Sequence, residues 1–128
     1  MTGNKCLLDT SIVIHSFRKE NQISAKLDTI KEIYVPVIVA GELYYGTYKS
    51  ADPVKHLNRT KAFLENCILL PTDVETAEIY GIIKTNLSKK GNPITENDIW
   101  IGALSIQYEF PLFTTDAHFH SIDNIQLF

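Results

Sequence analysis

Short apolar runs near 5–9, 32–35, 67–70, 111–114 and 125–128 alternate along this chain with helix-period segments near 11–18, 23–30, 37–49, 54–65, 73–89 and 97–107. Strands separated by segments of helical length cannot close tight hairpins. They must cross over, which makes neighbouring strands parallel and requires helices on both faces of the sheet. The predicted class is therefore α/β, with a central, mostly parallel, five-stranded sheet. Breakers fall where this scheme needs them: Ala51-Asp52-Pro53, Leu70-Pro71-Thr72-Asp73 and Lys90-Gly91-Asn92-Pro93. There is no repeat, low-complexity stretch or linker, and 128 residues at 45% hydrophobic content suffice for a real core, so residues 1–128 are expected to form one domain.

Within this frame four carboxylates occupy special positions. Asp9 closes the apolar run Cys6-Leu7-Leu8 and precedes a helix-period segment, which puts it at a strand's carboxyl end. Asp116 repeats that design after Leu112-Phe113-Thr114-Thr115. Glu42 lies in a helix expected to begin near Pro36, a proline suited to a first turn, so its carboxylate falls one to two turns in. Asp98 opens the helix Ile99–Ile106, where the dipole favours an anion. Ligands of open parallel sheets bind beyond the carboxyl ends of the strands, where strand order reverses. If the first and fourth strands are neighbours, Asp9 and Asp116 face one crevice, and clustered acids there make a hard-cation site.

Each acid also has a purely structural reading. Asp9 and Asp116 are capable helix caps, Thr95 and Asp98 have capping-box spacing, and Glu42 has the reading of an exposed helix residue. The four together resist those readings, because Glu42 sits among residues too apolar for a solvent face and a buried, unpaired carboxylate is costly.

Charge agrees with a concentrated site. The net charge is −3, from 15 acidic residues against 12 Lys and Arg; setting the four candidates aside leaves 11 acids, so the remaining surface is about +1. Basic residues group loosely at Lys49, Lys55, His56, Arg59 and Lys61, and at Lys84, Lys89 and Lys90, as solvated faces or as phosphate contacts. No stretch approaches the apolar length of a membrane span, and Met1-Thr2-Gly3-Asn4-Lys5 leads straight into a strand rather than a signal peptide. A cytoplasmic protein is expected. Cys6 and Cys67 sit in apolar runs without metal-ligand spacing and read as reduced core thiols.

The motifs Leu7-Leu8-Asp9-Thr10-Ser11, Ala40-Gly41-Glu42-Leu43-Tyr44-Tyr45-Gly46, Asn97-Asp98-Ile99-Trp100-Ile101-Gly102-Ala103 and Phe113-Thr114-Thr115-Asp116-Ala117-His118-Phe119 follow one another in an order and spacing that resemble PIN domains, in particular the VapC-type toxins of prokaryotic toxin–antitoxin pairs. The resemblance runs almost end to end. It implies a Rossmann-like, three-layer α/β/α sandwich and a Mg²⁺-dependent endoribonuclease, with Mn²⁺ as a substitute ion. It also implies catalytic, metal-binding acids at Asp9, Glu42, Asp98 and Asp116, an RNA substrate, a homodimer and a cognate antitoxin protein. Gly102 stands where these toxins more often have Ala, and Asp116 where some carry Asn.

The chemistry so implied is hydrolysis of an RNA phosphodiester by metal-activated water, for which Mg²⁺ needs only a few carboxylates supplemented by water and substrate phosphate. Asp9 and Asp98 are the expected primary ligands; Glu42 and Asp116 complete the site directly, through water, or by holding a second ion. Thr10, Ser11 and Thr115 are candidate hydrogen-bond partners, and Asn97 a candidate orienting or substrate-contacting group. The chain lacks the G-x-x-x-x-G-K-[ST] loop, the G-x-S-x-G elbow and the H-E-x-x-H zinc helix. An aspartyl-nucleophile phosphatase needs a second Asp two residues after Asp9, where Ser11 stands. His118 and His120 raise metal-free acid–base cleavage as a lesser alternative, and a PIN-like module that binds RNA or protein without cutting is the alternative from another class.

Overall fold

The computed structural model describes residues 4–128, so the reading of the amino-terminal segment lies, for Met1–Gly3, outside the described residues. The chain runs β1 (Lys5–Leu8), α1 (Thr10–Phe17), α2 (Asn21–Asp28), β2 (Glu32–Pro36), α3 (Val37–Tyr48), α4 (Pro53–Glu65), β3 (Ile68–Leu70), α5 (Val74–Lys90), α6 (Glu96–Tyr108) and β4 (Leu112–Phe113), followed by a 3₁₀ turn at Ala117–Ser121. All strand pairs are parallel and the order is β3-β2-β1-β4. Central β1 explains why its sequence is continuously apolar rather than alternating: Cys6, Leu7 and Leu8 are fully buried, because helices cover both faces of the sheet.

One expectation is corrected. The sheet has four strands, not five, because residues 125–128 contribute a single parallel bridge, Leu112↔Leu127. Leu112 donates its N–H to Gln126 O at 2.8 Å and accepts from Phe128 N–H at 2.9 Å. With β4 only two residues long, the last segment has nothing further to pair with, and the ladder stops.

Local chemistry fixes the helix ends. Asp52 accepts from Lys55 N–H with Pro53 in the first turn of α4, Asp73 and Thr76 form a capping box on α5, and Gly91 ends α5 in the left-handed conformation. No helix among the described residues is long and apolar enough to cross a membrane. From β1 the chain moves to one side for β2 and β3, then returns to the other side of β1 for β4. The strand order therefore reverses between β1 and β4, and the crevice lies at their carboxyl ends.

Gly102 is buried on α6 against the turn that follows β4. A Cβ there would lie 2.6 Å from Ile122 Cδ1, so the gain of about 1 kcal/mol from replacing a helical glycine is offset by overpacking. Gly102→Ala is expected to change stability by less than about 1 kcal/mol in the wild type, yet to stabilise an Ile122→Val background, which lacks that methyl, by the full ~1 kcal/mol. Chemical denaturation of the four proteins tests this; equal effects in both backgrounds would contradict it.

Candidate metal centre

The register between β1 and β4 builds the base of the site. Leu8 pairs with Phe113, so the next residues, Asp9 and Thr114, emerge side by side at the carboxyl end of the sheet. Asp9 is buried, at 5% exposure, and makes no side-chain cap to α1. Its carboxylate instead accepts from Ser11 Oγ at 3.1 Å and from Thr114 Oγ1 at 2.8 Å. Thr114 Oγ1 in turn accepts from Asp116 N–H at 2.9 Å, and Ser11 Oγ accepts from Thr115 N–H at 3.2 Å. These bonds tie the start of α1 to the loop after β4 and hold Asp9 in one orientation.

Three further acids approach from other elements. Glu42, sixth residue of α3, is half-buried and accepts from Thr10 Oγ1 at 3.0 Å. Burial raises its pKa above the ordinary glutamate value, the Thr10 bond opposes the rise, and the charges of Asp9 and Asp98 add to it. Asp98, third residue of α6, is half-buried, and its N–H is 3.4 Å from Thr95 Oγ1, the helix cap. Its pKa is also raised, first by burial and then by the charges of Asp9 and Asp116; the Thr95 bond and His118 act in the opposite direction. Asp116 caps the 3₁₀ turn by accepting from His118 N–H at 2.9 Å, and His118 Nδ1 lies 3.2 Å from the same oxygen. The capping reading thus describes Asp116, while Asp9 is engaged elsewhere.

Glu42 thus feels the charges of Asp9 and Asp98, and Asp98 those of Asp9 and Asp116. Among the described residues, no Lys or Arg forms an ion pair with Asp9, Glu42, Asp98 or Asp116. One donor atom each from Asp98, Asp116 and His118 lies within 4.8 Å of the others. Carboxylate oxygens brought together with no Lys or Arg paired to them fit a hard divalent ion in charge and donor type. Of the other sequence candidates, Thr10 and Ser11 bond carboxylates through their hydroxyls and Thr115 contributes only its N–H. Asn97 is exposed on the first turn of α6.

Sequence reasoning missed Thr114 as the tightest partner of Asp9, and it weighed His118 only for metal-free chemistry. The signal for Thr114 is its place directly after β4, level with Asp9 once the β1/β4 pairing is known. A groove of about 250 Å³ opens beside Glu42, lined by Ile14, Phe17, Leu43, His56 and Arg59 among others. Arg59 lays its guanidinium 4.2 Å over the Phe17 ring. The second basic group is partly neutralised, with Lys84 paired to Glu96 at 3.1 Å and Lys90 to Asp123 at 2.6 Å. Both cysteines are free thiols, and burial pushes Cys6 up to about 12 and Cys67 up to about 11.

The family model of the PIN domain matches residues 6–125. This chain belongs to the PIN-domain family. Its relatives narrow the branch to VapC: the PIN domain is 37% identical over 101 residues to ribonuclease VapC2 of Haemophilus influenzae, covering 77% of this chain and 76% of that protein. It is 33% identical over 116 residues to ribonuclease VapC of Rickettsia bellii, covering 87% and 84%. Among solved structures, VapBC2 from Rickettsia felis bound to a DNA fragment from its promoter superposes with a TM-score of 0.91 at 25% identity over 97% of each chain. DNA-bound VapBC from Salmonella typhimurium superposes at 0.92, also at 25% identity, over 98% of this PIN domain and 97% of the other.

The raised pKa values of Glu42 and Asp98 fix the sign of a pH effect. A carboxyl that holds its proton more tightly folded than unfolded stabilises the fold fully below the unfolded value, and that contribution is lost as pH rises through the folded one. In chelator, Glu42→Gln is therefore expected to melt above the wild-type PIN domain at pH 7, with the advantage shrinking as pH falls through the carboxylate range. An advantage that grows on acidification would reverse the sign and contradict the account.

Proposed function

We propose that this PIN domain is a Mg²⁺-dependent endoribonuclease that hydrolyses RNA phosphodiester bonds as the toxin of a toxin–antitoxin pair. The observation that supports it most is the buried Asp9 carboxylate, fixed by Ser11 and Thr114 at the sheet's carboxyl end, with its charge acting on Glu42 and Asp98 and that of Asp116 acting on Asp98. Relatives named ribonuclease VapC and structural neighbours that are VapBC complexes agree with it.

On this reading Asp9 and Asp98 are the primary ligands of Mg²⁺, or of Mn²⁺ in its place, and Glu42 and Asp116 complete the site. A bound divalent ion supplies Lewis acidity, which lowers the pKa of water and offsets charge on a scissile phosphate. The protein's own part is positional. Ser11 and Thr114 saturate one oxygen of Asp9, leaving its other oxygen for the cation; Thr10 does the same for Glu42 by donating to Oε1. Burial of Asp9 at the base of the crevice limits hydration of its carboxylate by bulk water. Neutralising the acids would also remove the repulsion that a polyanion otherwise meets, and on this reading Arg59 and His56, which line the adjoining groove, contact its phosphates.

The same reading includes a single domain over residues 1–128, a homodimer, a cytoplasmic location and an antitoxin that blocks the site by pairing a basic side chain, best an arginine, with the acids. Incubating the purified chain with RNA in Mg²⁺ and in chelator tests the activity. Cleavage only with the ion is expected, whereas binding without cleavage in both would identify a PIN-like interaction module.

A further inference from the structure

We infer that His118 is a nitrogen ligand of the metal centre, joining Asp98 and Asp116, and that it makes the centre favour Mn²⁺ and Co²⁺ over Mg²⁺. This rests on the metal-dependent reading above and adds a donor to it. Three observations carry it. Donor atoms of Asp98, Asp116 and His118 lie within 4.8 Å of one another. The His118 ring nitrogen Nδ1 is 3.2 Å from Asp116 Oδ1. His118 is also held by its own backbone, because its N–H donates to the same carboxylate at 2.9 Å.

These separations suit a shared ion. With metal–ligand bonds of about 2.1 Å, adjacent octahedral donors stand about 3.0 Å apart and opposite donors about 4.2 Å apart. The 3.2 Å separation matches an octahedral edge, and since the three donors are bounded only by 4.8 Å, somewhat wider than the opposite-donor distance, the trio would contract around the ion. The His118 side chain retains 67% exposure, so its ring is free to turn a nitrogen toward the ion without disturbing the core. The acid-capped 3₁₀ turn supplies the reason for the position: capping by Asp116 fixes residue 118 beside the carboxylate that it would join.

Donor chemistry then sets the preference. An all-oxygen site suits Mg²⁺, whereas an imidazole nitrogen adds affinity for transition ions, rising from Mn²⁺ to Co²⁺. His120 is also exposed on this turn, but among the described residues it forms no hydrogen bond or ion pair with Asp98 or Asp116 and lies outside the donor trio, so it serves as the control.

The test is metal binding by the full chain, without RNA. Calorimetric titration with MgCl₂, MnCl₂ and CoCl₂ is expected to give His118→Ala and His118→Gln proteins that bind Mn²⁺ and Co²⁺ about tenfold more weakly or worse, with Mg²⁺ affinity changed less than about twofold. His120→Ala should match the wild type. Electron spin-echo spectra of the Mn²⁺-loaded wild type should carry a histidine-nitrogen coupling that [¹⁵N]histidine labelling alters and His118→Gln removes. Absence of that coupling, or equal losses for all three ions, overturns the inference. Asp98→Asn separates the two levels: if it abolishes binding of every ion while the His118 variants bind normally, His118 is no ligand and the acidic centre stands. If the wild type binds none of the ions, both fall.

Discussion

Asp9→Asn is expected to lower RNA cleavage by about 10²- to 10³-fold or more while leaving the fold intact. Loss of partners that merely orient metal ligands costs 10–100-fold, and loss of one preorganised electrostatic contact costs about 10²–10³-fold, so removing the charge of a primary ligand should do at least as much. The fold should survive because asparagine keeps the shape and an acceptor oxygen for the Ser11 and Thr114 hydroxyls. It also removes a buried charge that has no cationic partner among the described residues. Far-ultraviolet circular dichroism, a melting curve and a cleavage assay on the same preparation separate the two effects. Activity within a few-fold of wild type in a folded Asp9→Asn protein would remove Asp9 from the ligand set.

The second large effect is on stability. An ion that binds the folded site and not the dispersed acids of the unfolded chain adds about 2.7 kcal/mol at 100 times its dissociation constant, a rise on the order of 10 °C in melting temperature for a chain of this size. Asp98→Asn should gain much less. In chelator it should nonetheless be as stable as the wild type or more so, because burial and the charges of Asp9 and Asp116 hold the Asp98 pKa above its ordinary value, so the ionised group is unfavourable in the fold. Its place in the first turn of α6, where the helix dipole favours an anion, acts in the opposite direction by about 0.3–1 kcal/mol and sets the limit of that gain. Melting curves of the two proteins, each with chelator and with millimolar divalent ion, decide the matter. Equal metal-induced shifts would leave Asp98 with a structural role at the start of its helix.

Most of the architecture was legible because each element carries its own local signal. Continuous burial of Cys6-Leu7-Leu8 wrote β1 as an uninterrupted apolar run, and Asp52-Pro53, Asp73 with Thr76, and Gly91 punctuated α4 and α5 within a residue or two of their bounds. The final segment was misread because its apolar residues are those of a strand, while strand status depends on a partner, and β4 is too short to supply more than one bridge. The placement of the acids on their elements, Asp9 after β1, Glu42 within α3, Asp98 in the first turn of α6 and Asp116 ahead of the 3₁₀ turn, was readable from local signals. What could not be read was the pairing of β1 with β4, which alone sets Thr114 level with Asp9. His118 escaped for a related reason: its relation to Asp98 is made by the turn after β4, between residues twenty apart in sequence.

The chemistry of the cut ends tests the central claim most directly, because attack by water and attack by the neighbouring ribose hydroxyl leave different products. RNA incubated with the purified protein in Mg²⁺ should yield 5′-phosphate and 3′-hydroxyl ends, and none should form in chelator. Cyclic 2′,3′-phosphate ends, or full cleavage in chelator, would contradict a metal-dependent hydrolysis centred on Asp9 and Asp98 and would move the chemistry to the histidines of the 3₁₀ turn.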